Sequence, residues 1–231
     1  MKTRAGVCGF HFLTLVALAA AEENIKPPAL RPIRPSLISA PERHEKQNTA
    51  QQFHDEGLKA FNAGKFDAAK SAFEKVLAVS PGNAAALINL SLVEQRTRHY
   101  DTAEKHLRGL LRDNPENATA WLLLGIGAYE QDKLDAAHAH LAQAVLYAPK
   151  DARAHQYLGA ALGRRGWYAA GEEELRQALE IDPKFADAHY NLAMLYLQRT
   201  PPSVELARRH YHRALELGAA PDEKIAKQVE Y

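Results

Sequence analysis

One arrangement of apolar and polar positions returns four times along this chain. Its clearest copy is "AWLLLGIGAYEQDKLDAAHAHLAQAVLYAP", Ala120 to Pro149. Trp121, Leu124, Gly125 and Ala128 recur at helical spacing, and after a polar break so do Leu134, Ala137, Leu141, Ala144 and Val145. Each set makes one apolar stripe, so the stretch predicts two amphipathic helices joined by a short turn. Pro149 cannot donate a helical hydrogen bond and closes the pair. Gly125 and Ala137 are small where the two helices would cross, and larger side chains there would overpack at a cost of about 1–3 kcal/mol. The second half of the pattern also appears as "AGKFDAAKSAFEKVLAVSP", "RHYDTAEKHLRGLLRDNP" and "WYAAGEEELRQALEIDP".

The closing prolines, Pro81, Pro115, Pro149 and Pro183, keep one 34-residue period. Phe53, Gly57, Phe66, Ala69 and Phe73 form the first set of equivalent positions. Leu87, Leu90, Ser91, Tyr100, Ala103 and Leu107 form the second, and Leu158, Gly159, Tyr168, Gly171, Leu175 and Ala178 the fourth. A fifth unit keeps Leu192, Ala193, Tyr196, Ala207, Tyr211, Ala214 and Leu215, but "RTPPSVE" lengthens its turn and Ala219 stands where the others end in proline. Asp67, Asp101 and Asp135 stand beside the start of each second helix, where an Asp accepts a backbone N–H and complements the dipole. "DTAE" has capping-box spacing, and Ser203 is the expected cap in the fifth unit. Ordering 34 residues costs roughly 50 kcal/mol at about 1.5 per residue. Offsetting that takes on the order of 2,000 Å2 of buried apolar area. A lone hairpin of helices buries one side only, so each unit needs a neighbour and the expected result is a one-dimensional stack.

In period and in these positions the chain resembles a tetratricopeptide repeat (TPR) protein over about residues 49–220. The resemblance implies an all-α fold: a right-handed α-solenoid of about five stacked helix-turn-helix repeats. They span about 50–83, 84–117, 118–151, 152–185 and 186–220, with residues 221–231 as a capping helix that turns Ile225 and Val229 inward. It also implies that the first helix of each unit lines a concave surface. Carried over by position, the inward row is Leu58, Phe61, Ile88, Leu92, Leu122, Ile126, Tyr129, Tyr157, Tyr190 and Met194, unusually apolar and aromatic. Relatives that clamp a terminal carboxylate use Lys and Asn in the first unit; the matching residues here, His54 and Leu58, do not fit that clamp. Two readings of the row stay open: an open groove for an apolar or amphipathic peptide segment, or a row buried by tight curvature or covered by a chain terminus.

The ends differ from this pattern. Residues 1–21 read as a signal peptide: Lys2 and Arg4, then an apolar run from Val7 with small residues at Ala19 and Ala21. The run is short for the about 20 residues of a membrane span, so export is expected; the alternative is a membrane tether through an uncleaved leader. Residues 22–48 carry Pro27, Pro28, Pro32, Pro35 and Pro41 with little apolar periodicity, the composition of a mostly disordered linker. The formal charge is +1; without Lys2 and Arg4 the count is 27 basic against 28 acidic. Such balance makes no electrostatic case for nucleic acid or an anionic membrane. Cys8 is the one cysteine, so the mature chain rests on packing and not on disulfides.

Candidate chemistry is thin. The scattered Ser, His and Asp residues follow no nucleophile motif, and "LGIGAYE" lies inside a helix without phosphate-loop spacing. His138 and His140, like His210 and His212, sit two apart and diverge on a helix, so no metal is expected and they read as surface residues. His155 and His189 occupy the slot that Trp121 fills and read as packing histidines. No cofactor, small-molecule substrate or catalytic residue is expected. The resemblance implies an exported, non-enzymatic scaffold or adapter for a protein or peptide partner, in a periplasm, touching a membrane only through a complex. The alternative is an accessory or regulatory subunit of a membrane-bound enzyme or envelope assembly complex.

Overall fold

The computed structural model describes residues 40–230. The leader, Cys8, the Pro-rich stretch up to residue 39 and Tyr231 lie outside the described residues. Eleven helices follow in order: α1 Ala40–Asn62, α2 Phe66–Val79, α3 Ala84–Arg96, α4 Tyr100–Asp113, α5 Ala118–Glu130, α6 Leu134–Tyr147, α7 Ala152–Arg164, α8 Tyr168–Ile181, α9 Ala186–Gln198, α10 Val204–Glu216 and α11 Glu223–Val229. The described residues contain no strand. They form an α-solenoid of five helix-turn-helix units closed by α11. The first helix begins at Ala40, nine residues ahead of the array boundary read at Thr49. Pro41 falls in the first turn, where its missing N–H leaves no bond unmade. Residues 44–48 are exposed, so this overhang gives no apolar signal.

Each core cluster is shared between units. Phe73 and Ala69 of the first meet Leu90 and Val93 of the second. Leu107 and Leu110 meet Leu123 and Leu124. Leu141 and Ala144 meet Leu158 and Leu162, and Leu175 and Ala178 meet Leu192 and Tyr196. Ile225 and Val229 of α11 finish the last cluster beside Tyr211. Asp222 caps α11 by accepting the Lys224 and Ile225 N–H groups.

Polar bonds fix the angle between units. The Trp121 indole N–H donates to the Pro115 carbonyl at 2.8 Å. His155, in the same slot, reaches the Pro149 carbonyl at 3.1 Å and the Glu174 carboxylate at 2.7 Å. His189 lies against the Pro183 carbonyl. One slot therefore meets the closing proline of the preceding unit three times. Gln95 donates to the Leu123 carbonyl, and buried Glu94 on α3 faces Lys70 on α2 and His106 on α4.

The caps are not where the aspartates suggested. α2, α4 and α6 have Lys65, His99 and Lys133 at the N-cap and no side-chain cap bond. Asp67, Asp101 and Asp135 are second helical residues, two positions past the N-cap and too far into the helix to cap it. The DTAE box does not close, and Ser203 holds the N-cap position without a side-chain bond. Within the repeats the side-chain caps belong to first helices: Asn83 accepts from Ala86 N, Asn117 from Ala120 N and Asp151 from Arg153 N.

Between the helices of units one to four, one residue is left-handed: Gly64 (φ 69°), Arg98 (φ 62°), Asp132 (φ 59°) and Gly166 (φ 79°). The next residue's N–H returns to the carbonyl five residues earlier, as His99 does to Glu94 at 2.7 Å. This is the Schellman bond that needs an αL residue. Arg98→Gly should stabilise the chain by about 0.5–1 kcal/mol in chemical denaturation, since Arg pays a steric penalty there that Gly does not. Gly171 has the opposite logic. Its equivalents are Ala69, Ala103, Ala137 and Ala207, and a mid-helix Gly→Ala normally gains about 1 kcal/mol. A Cβ at Gly171 would lie 2.8 Å from the Gly159 carbonyl oxygen, backbone that cannot rotate away. Gly171→Ala should therefore destabilise by about 1–3 kcal/mol.

A second prediction concerns acid. The His189 and His210 Nδ1 atoms are 2.9 Å apart. Burial, then His189, Arg209 and Arg176, push the His210 ring down to about 4, with Glu172 opposing. Burial and Arg213 also lower His189, against the Pro183 carbonyl. An unfolded His titrates near 6.5. Between that value and about 4 the unfolded chain binds more protons than the folded one, so stability falls as pH falls through this window. Thermal unfolding should show a Tm falling from pH 7 to pH 4, and His210→Gln should flatten that slope.

Candidate functional site

The first helices touch one another in sequence, α1 to α3, α3 to α5, α5 to α7 and α7 to α9, whereas no two second helices of successive units meet. The stack therefore curves with its first helices on the inner side. Five of them offer one face to a continuous groove.

Leu58 is 37% exposed and Leu122 2%, which separates the extremes of the expected row. Leu122 packs with Leu158 and Leu162 inside the joint between units three and four. It is a core residue and offers a ligand nothing, because Leu158 and Leu162 of α7 cover it. Phe61, Ile88, Leu92, Ile126, Tyr129, Tyr157, Tyr190 and Met194 are half-buried. Phe61 packs edge-on against Phe66. The Tyr129 and Tyr157 rings meet edge to face, centroids 6.1 Å apart.

The row is richest across units three to five. Burial, then the Glu130 and Asp187 carboxylates, raise the Tyr157 phenol. Tyr190 is pushed up to about 12 by burial and by its bond to Asp222, whose carboxylate accepts that hydroxyl at 2.8 Å. The C-terminal cap thus touches the groove at its last tyrosine. A cavity of about 280 Å3 opens between α7 and α9, walled by Tyr129, Tyr190 and Met194. Arg164 stands at its edge, donating to the Asp132 carboxylate at 2.7 Å and lying 4.9 Å from the Tyr129 ring centre. Arg164, Asn191 and Gln198 also line it. Selecting only apolar positions missed these three. The signal for them was the repeat register itself, which places them on the same inner faces.

Outside the groove, a wider recess of about 670 Å3 lies on α4, lined by Lys105, Arg108, Gly109, Arg112 and Trp121 among others. Arg108 there pairs with Glu104 at 2.6 Å. His138 meets the Trp167 ring edge and His140 the Trp121 ring, while His210 faces His189 and His212 lies by Tyr211. Histidines two apart thus reach different neighbours; His138, His140 and His210 are half-buried against rings where the sequence suggested plain surface, and His212 is exposed as expected. Among the described residues no three His, Cys, Asp or Glu side chains converge as metal ligands. No helix among the described residues is long and apolar enough to cross a membrane.

Models of the tetratricopeptide repeat match residues 54–96, 94–162, 152–185 and 173–199. The chain carries tetratricopeptide repeats. Among solved structures, MamA is 25% identical over 78% of this chain and 96% of its own, with a TM-score of 0.59. The Pseudomonas aeruginosa pilF protein is 21% identical, covering 80% of this chain and 86% of its own, with a TM-score of 0.70. YrrB, described as a TPR protein with an unusual peptide-binding site, is 21% identical over 81% of this chain and 94% of its own, with a TM-score of 0.58. At that identity pilF and YrrB share the fold alone. The search of curated proteins finds no match. The repeats and the structural neighbours together support a protein-interaction scaffold.

Proposed function

We propose that this chain is an exported, non-catalytic scaffold whose concave groove holds an apolar or amphipathic segment of a partner protein. The observation that carries the proposal is the half-buried row of Ile88, Leu92, Ile126, Tyr129, Tyr157 and Met194 on the inner helices. A fold that needed these side chains only for its core would bury them, as it buries Leu122. Apolar surface left open along a groove is the usual mark of a protein contact. An amphipathic segment laid there would cover the rings, and the Glu130, Asp187 and Arg164 side chains near them would set its register. YrrB, similar in fold, has a peptide-binding site by its own description. Export rests on the leader pattern of residues 1–21; a purified mature chain beginning near Glu22 is the corresponding mass measurement.

The groove is testable in the native host. A photocrosslinking residue in place of Tyr157 should capture a partner, whereas one in place of Arg112, on α4 and outside the groove, should not. Leu58→Ser combined with Tyr157→Ser should reduce that capture at least about tenfold, with helix content near native by circular dichroism. Tyr190 is left intact because its hydroxyl also holds the C-terminal cap. Equal capture at both sites, or capture indifferent to the double substitution, overturns the proposal.

A further inference from the structure

The repeat register exposes one place where the groove lining is missing. Two inner positions carry Leu58 and Phe61 in unit one, Leu92 and Gln95 in unit two, Ile126 and Tyr129 in unit three, and Met194 and Leu197 in unit five. Unit four carries Ala160 and Gly163. The cavity of about 280 Å3 lies at those two residues.

At residue 163 the fold gives no reason for the missing side chain. A Cβ on Gly163 would approach nothing closer than 3.5 Å, an ordinary contact with Leu195. Gly163 therefore differs from Gly159 and Gly171, whose Cβ atoms would strike backbone. A glycine inside a helix costs about 1 kcal/mol relative to alanine, and here that cost secures no packing. What it leaves is space.

We propose that unit four carries a socket for one aromatic side chain of the partner segment. This rests on the groove reading above and specifies its occupant. The volume lies just below the about 300–1,000 Å3 of small-molecule sites and suits a single large side chain. Tyr129 and Tyr190 offer ring faces and edges, which pair with another ring at offset or perpendicular angles. The Met194 thioether adds a sulfur contact that favours aromatic partners. Arg164 also lines the cavity, its charge already met by the Asp132 carboxylate, and its guanidinium attracts the face of an inserted ring. Asp132 and the Tyr129 ring hold that guanidinium in place, so little ordering remains to be done on binding.

Selection of a phage-displayed random peptide library on the full chain tests this. The enriched peptides should share one Phe, Tyr or Trp. Their affinity, measured by fluorescence anisotropy, should fall at least about tenfold on Gly163→Leu, with the thermal midpoint unchanged or raised. Ala160→Leu fills the same space from the neighbouring turn and should act alike, which covers the case in which one variant fails to fold. If the peptides are lost on Tyr157→Ser but share no aromatic residue, or bind Gly163→Leu and Ala160→Leu unchanged, the socket is refuted and the groove stands. If no peptide is enriched, or binding ignores Tyr157→Ser as well as the filled-socket variants, both readings fall together.

Discussion

A pair of helices joined by a short turn has two apolar sides and only one mutual contact, so it leaves a greasy face that must be covered from outside. Everything else in this molecule follows from how that face is covered. The buried clusters are not confined to single units; each crosses a joint, with Phe73 against Leu90 and Val93, and Leu175 against Leu192 and Tyr196. The joint needs a next unit, and at the end it needs a lid. α11 is only seven residues long, too short to persist as an isolated helix. It is held because Ile225 and Val229 enter the last joint, and because Asp222 both caps it and accepts the Tyr190 hydroxyl.

The same constraint produces the binding face. Inner helices approach one another and outer helices do not, so the stack must bend, and bending brings successive inner faces into one trough. Nonpolar packing alone leaves the rotation at each joint soft. The ring nitrogens of Trp121 and His155, each bonded to the proline carbonyl that ends the preceding unit, supply directional restraint there. His189 occupies the same slot, but shares itself with His210. The joint between units four and five thus has a polar latch that responds to protons.

Much of this architecture was legible in the chain because the helical stripes and the closing prolines recur at a fixed interval, and sterics allow few ways to use them. What was not legible depends on angles of tens of degrees or on an offset of two residues. Asp67, Asp101 and Asp135 lie two positions past the N-cap and cannot turn back to cap their helices. Asn83, Asn117 and Asp151, each two residues after a proline, were the readable caps and follow simple Asx logic. Leu122 and Ile126 are both apolar residues on one helix, yet a single turn between them decides which is core and which faces the groove. α1 runs back to Ala40 through polar residues, where periodicity has nothing to report. The groove's polar members, Arg164, Asn191 and Gln198, escaped a search that followed apolar side chains alone.

Repetition also separates what the fold needs from what it merely tolerates. A residue kept small in every unit, as at Gly57, Ser91, Gly125, Gly159 and Ala193, marks the helix crossing, where Gly57, Gly125 and Gly159 have no room for a Cβ. A position that is glycine in one unit only demands a local cause. Gly171 has one, since its Cβ would meet the Gly159 carbonyl; Gly163 has none, since its Cβ would find ordinary space. The first departure tightens the α7–α8 hairpin and the second hollows the groove directly above it, in the same unit. A hairpin drawn unusually close on one side, and left unfilled on the other, is stable only because its neighbours supply the walls: Tyr129 from α5 and Tyr190 with Met194 from α9. The dependence of each unit on the next, which builds the stack, therefore also forms a side-chain-sized vacancy along its inner surface, with aromatic walls and Arg164 at the rim.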